Sequence, residues 1–342
     1  MDEHETTARL LYQGVLRREG AGAEVRRVAD QLATGMSPGA VLASMIISPE
    51  FSGARLAPVY DWERDSDLAR FRTPATDDFV RRVRMHRPLS RDRFEAAWRE
   101  RFDVELEAGE AGNRAYGAEH KERFWETVNV IATMRGDRPA GWRMLDFGLS
   151  VLTAMYRRVL PDLDFVTSDR PVAPSLVEYF TAASRAAGAR AHFTNDLTDP
   201  SSLTPERAAA MGVFDLVLFT EVLEHLTVDP IALFRNVLLL LKPGGQIYLT
   251  TPNFFSYHNL AKIERRIHPQ AVFPVGGNAD THFHHREPSM REVLQFLSAA
   301  GFEITGFWFS DCWDDATVRA RIGPRIDEYS NLAVTAKRPE HS

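Results

Sequence analysis

Trp142-Arg143-Met144-Leu145-Asp146-Phe147-Gly148-Leu149-Ser150 decides how the rest of the chain is read. Arg143–Phe147 has the composition of a short strand, and it stops at a glycine two places after an acidic residue. Runs of the same kind recur at Asp164–Ser168, Ala191–Thr194, Phe214–Thr220 and Gln246–Thr250, separated by segments with helical spacing. Alternating strands and helices predict βαβ units, and therefore an α/β fold with a mostly parallel sheet covered by helices on both faces. The helix ends agree with this. Asp229 is placed to cap, Pro230 to open, and Lys242-Pro243-Gly244-Gly245 to stop the helix between the fourth and fifth strands. Ser289-Met290-Arg291-Glu292 reads as a capping box for a later helix that closes at Gly301.

Upstream the periodicity is helical. In residues 5–56, Leu10, Leu11, Val15 and Leu16 form one apolar stripe, and Val25, Val28, Ala29 and Leu32 form another. A third helix is expected from Ser37-Pro38 to about Ser48-Pro49, which together predicts a small all-α domain. Residues 57–135 read as a charged helical linker or cap, with Phe124, Trp125, Val128 and Ile131 at helical spacing. Its Arg81, Arg82, Arg84 and Arg87 suit a solvated helix face, or an anion site as the sharper alternative. Residues 136–342 carry the α/β domain.

Composition narrows the function classes. The chain has 342 residues, 44% hydrophobic and 26% charged, an ordinary globular mixture long enough for about two domains. The charge sum, 41 − 47 = −6, removes the bulk electrostatic case for a nucleic-acid partner. Cys312 is the single cysteine, so no intramolecular disulfide framework or multi-cysteine metal site is expected. The acidic start Met1-Asp2-Glu3-His4-Glu5 is unlike a signal peptide, and no apolar run reaches the length of a membrane span. A cytoplasmic protein is the expectation.

Ligands of open α/β sheets bind beyond the carboxyl ends of the strands. Read in order, those ends carry Asp146-Phe147-Gly148, Ser168-Asp169-Arg170, Asn195-Asp196-Leu197 and Thr220-Glu221-Val222-Leu223-Glu224-His225. An acidic residue some twenty places beyond a glycine turn suits the two hydroxyls of a ribose, and Asp169 is so placed. Asp196 is positioned to accept from a base amino group. Each aspartate is equally suited to capping a helix.

Six segments in order resemble the class I S-adenosylmethionine-dependent methyltransferases. They are Met144-Leu145-Asp146-Phe147-Gly148, Phe214-Asp215-Leu216-Val217, Glu221-Val222-Leu223-Glu224-His225-Leu226, Leu241-Lys242-Pro243-Gly244-Gly245, Thr251-Pro252-Asn253 and Ala300-Gly301-Phe302. The resemblance implies a Rossmann-like seven-stranded sheet whose last hairpin, reversed in direction, comes from Phe302–Phe309 and Asn331–Ala336. It also implies S-adenosylmethionine as cofactor, with Asp146, Gly148, Asp169, Asp196 and Glu221 lining its site. One departure stands out: Ser150 and Leu152 occupy places where that family usually carries glycine.

In a helical turn, Glu221, Glu224 and His225 would share one face. With the later His282-Phe283-His284, this pattern resembles the small-RNA 2′-O-methyltransferases, which implies Mg²⁺ or another divalent cation held by Glu221, Glu224, His225 and His284. Without a metal, His225 or His284 suits the general base, and the carboxylates complement a helix dipole. The insertion 253–280, with Phe254, Phe255, Tyr257, His258 and Phe273, is placed to cover an acceptor. Leu11-Tyr12 with Ser48-Pro49-Glu50-Phe51 resembles a short helical domain recurring in bacterial surface and glycan-assembly proteins. The expectation is O-methylation of a sugar or oligosaccharide hydroxyl, with a small molecule or oligosaccharide as partner. RNA 2′-O-methylation and a non-catalytic scaffold are the alternatives, and the chain does not state its oligomeric state.

Overall fold

The computed structural model of the chain describes residues 2–12, 20–46, 66–85, 87–105, 111–136, 141–170, 174–270, 284–310 and 326–340. It forms two compact units, Met1–Asp65 and Ser66–Ser342.

The first unit contains helices Glu3–Leu11, Gly22–Ala33 and Pro38–Ile46. Val25, Val28, Ala29 and Leu32 close on Ala8, Tyr12, Val41 and Met45. The first expected stripe is corrected at Leu10, which is 62% exposed. Ala8, Leu11 and Tyr12 stand three and four residues apart and take the inward face, so Leu10 falls outside it. The Ser37 hydroxyl accepts the Ala40 N–H at 3.2 Å just ahead of Pro38. Val15, Leu16 and Ser48–Phe51 lie outside the described residues.

The second unit is built on a seven-stranded sheet in the order β3-β2-β1-β4-β5-β7-β6. The strands are β1 Arg143–Phe147, β2 Asp164–Asp169, β3 His192–Thr194, β4 Phe214–Thr220, β5 Leu241–Pro252, β6 Glu303–Ser310 and β7 Asn331–Lys337. β1 to β5 pair in parallel, and β7 runs antiparallel to both neighbours. This is the Rossmann-like arrangement with a reversed last hairpin.

Both expected caps form. The Asp229 carboxylate accepts the Ile231 N–H at 2.9 Å, and Ser289 and Glu292 close a reciprocal box before helix Met290–Ala300. Gly301 ends that helix at φ 104°. The stop at Lys242–Gly245 is corrected: helix Pro230–Leu239 has already ended, and those residues form a bulge inside β5. Pairing with β4 jumps from Phe214↔Leu241 to Leu216↔Gln246. A Cβ on Gly245 would lie 2.8 Å from the Phe214 carbonyl oxygen, so the close approach at the bulge needs glycine.

The structure draws its one boundary at Asp65, so the helices of the expected linker belong to the sheet's unit. They are Pro74–Met85, Arg91–Trp98, Ala111–Glu119 and Lys121–Arg135. Phe79, Val83, Phe94, Trp98, Phe124 and Trp125 join Met144, Leu216, Tyr248 and Trp308 of the sheet in one core. Glu126 adds a polar stitch, accepting from Trp308 Nε1 and Ser310 Oγ, each at 3.0 Å. The charge density that suggested a linker is the outer side of these helices: Arg81 and Arg82 pair with Asp78 with more than half of each side chain in solvent. Among the described residues no helix is long and apolar enough to cross a membrane.

Candidate active site

The turn after β1 is held from both sides. Gly148 adopts φ 86°, donates its N–H to the Ser168 carbonyl at 2.9 Å, and leaves only 3.2 Å between a would-be Cβ and Val222 Cγ2. The Asp169 carboxylate accepts the Leu149 N–H at 2.8 Å and the Arg170 N–H at 2.7 Å, clamping this turn to the end of β2. Burial raises the Asp169 carboxyl above its usual range, against those two hydrogen bonds.

Asp146, at the end of β1, is turned inward beneath the same loop. It is 1% exposed, and it accepts the Thr153 hydroxyl at 3.0 Å. Burial pushes its carboxyl up to about 7, with the Thr153 and Tyr156 hydroxyls opposing the shift and Asp169 adding to it. It therefore braces the loop from inside. Asp196 accepts the Thr198 N–H at 2.9 Å and lies 3.6 Å from Arg170 Nε, so it caps its own turn while keeping a partly exposed carboxylate.

After β4 the chain departs from helical geometry. Glu221 sits at φ 56°, in the left-handed region, and only Leu223–His225 forms a 3₁₀ turn. A left-handed backbone costs a residue with a Cβ about 1–2 kcal/mol, and observed strain of this kind concentrates at working sites. The turn sends Glu221 away from the face that α-helical spacing would have given it. Its Oε2 lies 2.6 Å from Arg123 Nη1, and its Oε1 accepts Thr250 Oγ1 at 2.7 Å and Asn331 Nδ2 at 2.8 Å. Burial would raise this carboxyl, but Arg123 and the two hydrogen bonds hold it below its usual range. Glu221 is therefore fully partnered and stands apart from the expected metal ligands.

The other three come together. One ligand atom each from Glu224, His225 and His284 lie within 4.8 Å of one another. Glu224 is 1% exposed; its Oε2 accepts Thr251 Oγ1 at 2.9 Å, while Oε1 has no hydrogen-bond partner and lies 3.8 Å from His225 Nε2. Burial, reinforced by the Glu221 charge, raises its carboxyl well above the usual range. The His225 and His284 rings meet edge to face at 5.0 Å between centroids. His284 is brought here by backbone, because the Glu224 carbonyl accepts the His285 N–H at 2.7 Å and the Arg286 N–H at 3.2 Å. Its Nδ1 is 2.7 Å from Glu287 Oε1.

A family profile describing a methyltransferase domain matches residues 127–306. The chain belongs to this methyltransferase family. The methyltransferase is 33% identical over 115 residues to the ubiquinone biosynthesis O-methyltransferase of Xanthomonas axonopodis pv. citri (strain 306), which is 34% of this chain and 45% of that protein. The match thus spans less than half the length of that curated relative. Solved S-adenosylmethionine-dependent methyltransferases are also similar. The one from Mesorhizobium loti has 21% identity and TM-score 0.37, covering 62% of this chain and 98% of that one. The one from Clostridium acetobutylicum has 12% identity and TM-score 0.41, covering 72% and 98%.

The methyltransferase closes its first loop without the second and third glycines. Leu152 is 3% exposed and joins the core, while the Ser150 and Thr153 hydroxyls accept the Leu152 and Ser150 N–H groups at 3.2 Å. Leu152 thus serves the core, while Ser150 stays exposed and ties the turn together. Sequence reasoning missed Arg123, Asn331 and Glu287. Nothing in the local sequence marks Arg123 or Asn331, whereas Glu287 stands three residues from His284, a spacing that signals contact in a turn.

Proposed function

We propose that this methyltransferase moves the methyl group of S-adenosylmethionine to a hydroxyl of a sugar or oligosaccharide, with Glu224, His225 and His284 handling the acceptor. The observation that carries the reading is the buried, unpartnered Oε1 of Glu224 facing two imidazoles at the end of β4. An alcohol is a poor nucleophile until its proton is removed or its oxygen is polarised. Imidazole is suited to accept that proton near neutral pH, and positioning of donor and acceptor supplies much of the remaining rate. The cofactor side is assigned to the Gly148 turn and Asp169, with Asp196 reaching toward the base.

The same three side chains fit a divalent cation. An orphaned carboxylate oxygen and two imidazoles form a donor set that suits Mn²⁺, Fe²⁺ or Zn²⁺ better than Mg²⁺, whose preference is for oxygen. When bound, such an ion lowers the pKa of a coordinated hydroxyl. Glu221 is outside this set because Arg123 holds it.

Support for O-methylation comes from the similarity to the Xanthomonas ubiquinone biosynthesis O-methyltransferase. Support for a glycan comes from the resemblance of residues 5–56 and from the net charge of −6, which disfavours a polyanionic acceptor. The test is a screen with methyl-labelled donor against oligosaccharides, RNA and small phenols, run with EDTA and with added Mg²⁺ or Mn²⁺. Labelling of an oligosaccharide supports the reading; labelling of RNA or phenols alone overturns the acceptor, and rates indifferent to EDTA overturn the cation.

A further inference from the structure

We infer that Glu287, itself held by Asn259, is a positioning residue that fixes His284 in the tautomer with its proton on Nδ1, leaving the Nε2 lone pair for the site. The inference rests on the role proposed for His284. The contacts form a continuous chain. His284 Nδ1 lies 2.7 Å from Glu287 Oε1, and Asn259 Nδ2 donates to Glu287 Oε2 at 2.6 Å and to the Asn253 carbonyl at 3.3 Å. Asn253 in turn donates to the carbonyls of Asp327 and Tyr329, at 2.7 and 2.9 Å, just ahead of β7.

Every link has a defined polarity. Asn259 faces two oxygens, so its amide nitrogen must point at them, and both of its protons are used. Glu287 has one oxygen filled by that donor, and the other accepts from the ring. A carboxylate beside Nδ1 stabilises the Nδ1–H form, since the other tautomer would set two acceptors against each other. Asn259 is 5% exposed and the Glu287 side chain 11%, so water competes little at the Asn259–Glu287 link, while the His284 side chain at the end of the relay is 38% exposed. The Glu224 carbonyl holds the backbone of His285 and Arg286, fixing where the ring starts, and Glu287 fixes which nitrogen is presented. Carboxylates that orient a ligating or catalytic histidine commonly change affinity or activity by roughly 10–100-fold when removed.

The experiment is ¹⁵N-histidine NMR of the full chain at about pH 8.5, where imidazole is ordinarily neutral, with His284→Gln identifying the signal. Mn²⁺ titration of the same samples is the second readout. In the wild type, His284 is expected to show the proton on Nδ1. Glu287→Ala is expected to move it toward Nε2 and to weaken Mn²⁺ binding by roughly 10–100-fold, and Asn259→Ala should do the same more weakly if Glu287→Ala folds poorly. Wild-type His284 carrying its proton on Nε2, or a Glu287→Ala ring with an unchanged tautomer, overturns the inference. A wild type that shows the Nδ1–H tautomer but binds no Mn²⁺ supports the inference and overturns only the cation reading.

Discussion

Two carboxylates three residues apart, Glu221 (half-buried) and Glu224 (fully buried), are pushed in opposite directions by their surroundings. Arg123, Thr250 and Asn331 keep Glu221 ionised, whereas Glu224 has one hydroxyl partner and a like charge close by, so its protonated form is favoured. Glu224→Ala removes the unpartnered oxygen and is expected to lower kcat by roughly 10²-fold or more, with the KM for S-adenosylmethionine unchanged; steady-state assays with both substrates varied would show it. His120 gives a pH dependence. Burial lowers it to about 4, with Arg123 acting in the same direction and Glu221 opposing. Its folded value lies below the ~6.5 of an unfolded imidazole, so its neutral form contributes stability that is complete above that pH and is lost as the pH falls toward 4. Thermal melts from pH 7 to 4.5 should therefore show His120→Gln losing less stability on acidification than the wild type.

At the scale of elements, the caps are independent of the sheet in origin but place the site. The Ser289–Glu292 box starts helix Met290–Ala300 immediately after the His284–Glu287 stretch. Ser289→Ala is expected to destabilise the protein by about 1 kcal/mol, read from chemical denaturation, and to raise the mobility of His284. The strands and these caps were legible because each depends on neighbours within a few residues. The turn after β4 was not legible. Spacing of three and four residues predicts one shared face only if the backbone is α-helical, and Glu221 at φ 56° breaks that condition. What holds it there is Arg123, 98 positions earlier, and Asn331, 110 positions later (221 − 123 and 331 − 221), neither of which a local pattern can reveal.

For the molecule as a whole, the Arg123–Glu221 pair ties the helices before the sheet to the end of β4. Arg123→Met leaves the Glu221 carboxylate without its cation, and the expected loss is about 3–5 kcal/mol. The double variant Arg123→Met/Glu221→Gln should lose clearly less, a coupling measurable in a double-mutant cycle by denaturant unfolding. The unit boundary gives a second expectation. A chain of residues 66–342 should fold cooperatively and retain S-adenosylhomocysteine binding, because its core is complete. A chain of residues 136–342 should not, because it loses Phe79, Phe94, Trp98, Phe124 and Trp125 from that core; circular dichroism and gel filtration of the two pieces would separate these outcomes.

The sequence by itself determined the parallel strands and the Asp229 and Ser289–Glu292 caps, since periodicity and capping act through residues close in the chain, while the reversed hairpin followed from the resemblance of its motifs to a known family. It also put Gly148, Asp169, Glu224, His225 and His284 at the ends of strands or beside a capped helix. Only the tertiary structure decided which of these side chains meet. Asp146 turned inward to Thr153, Glu221 went to Arg123, and Glu287 came to His284. The physical reason is that burial leaves each carboxylate to be settled by whichever donor or cation the fold brings within about 3 Å, and that choice depends on contacts far apart in sequence.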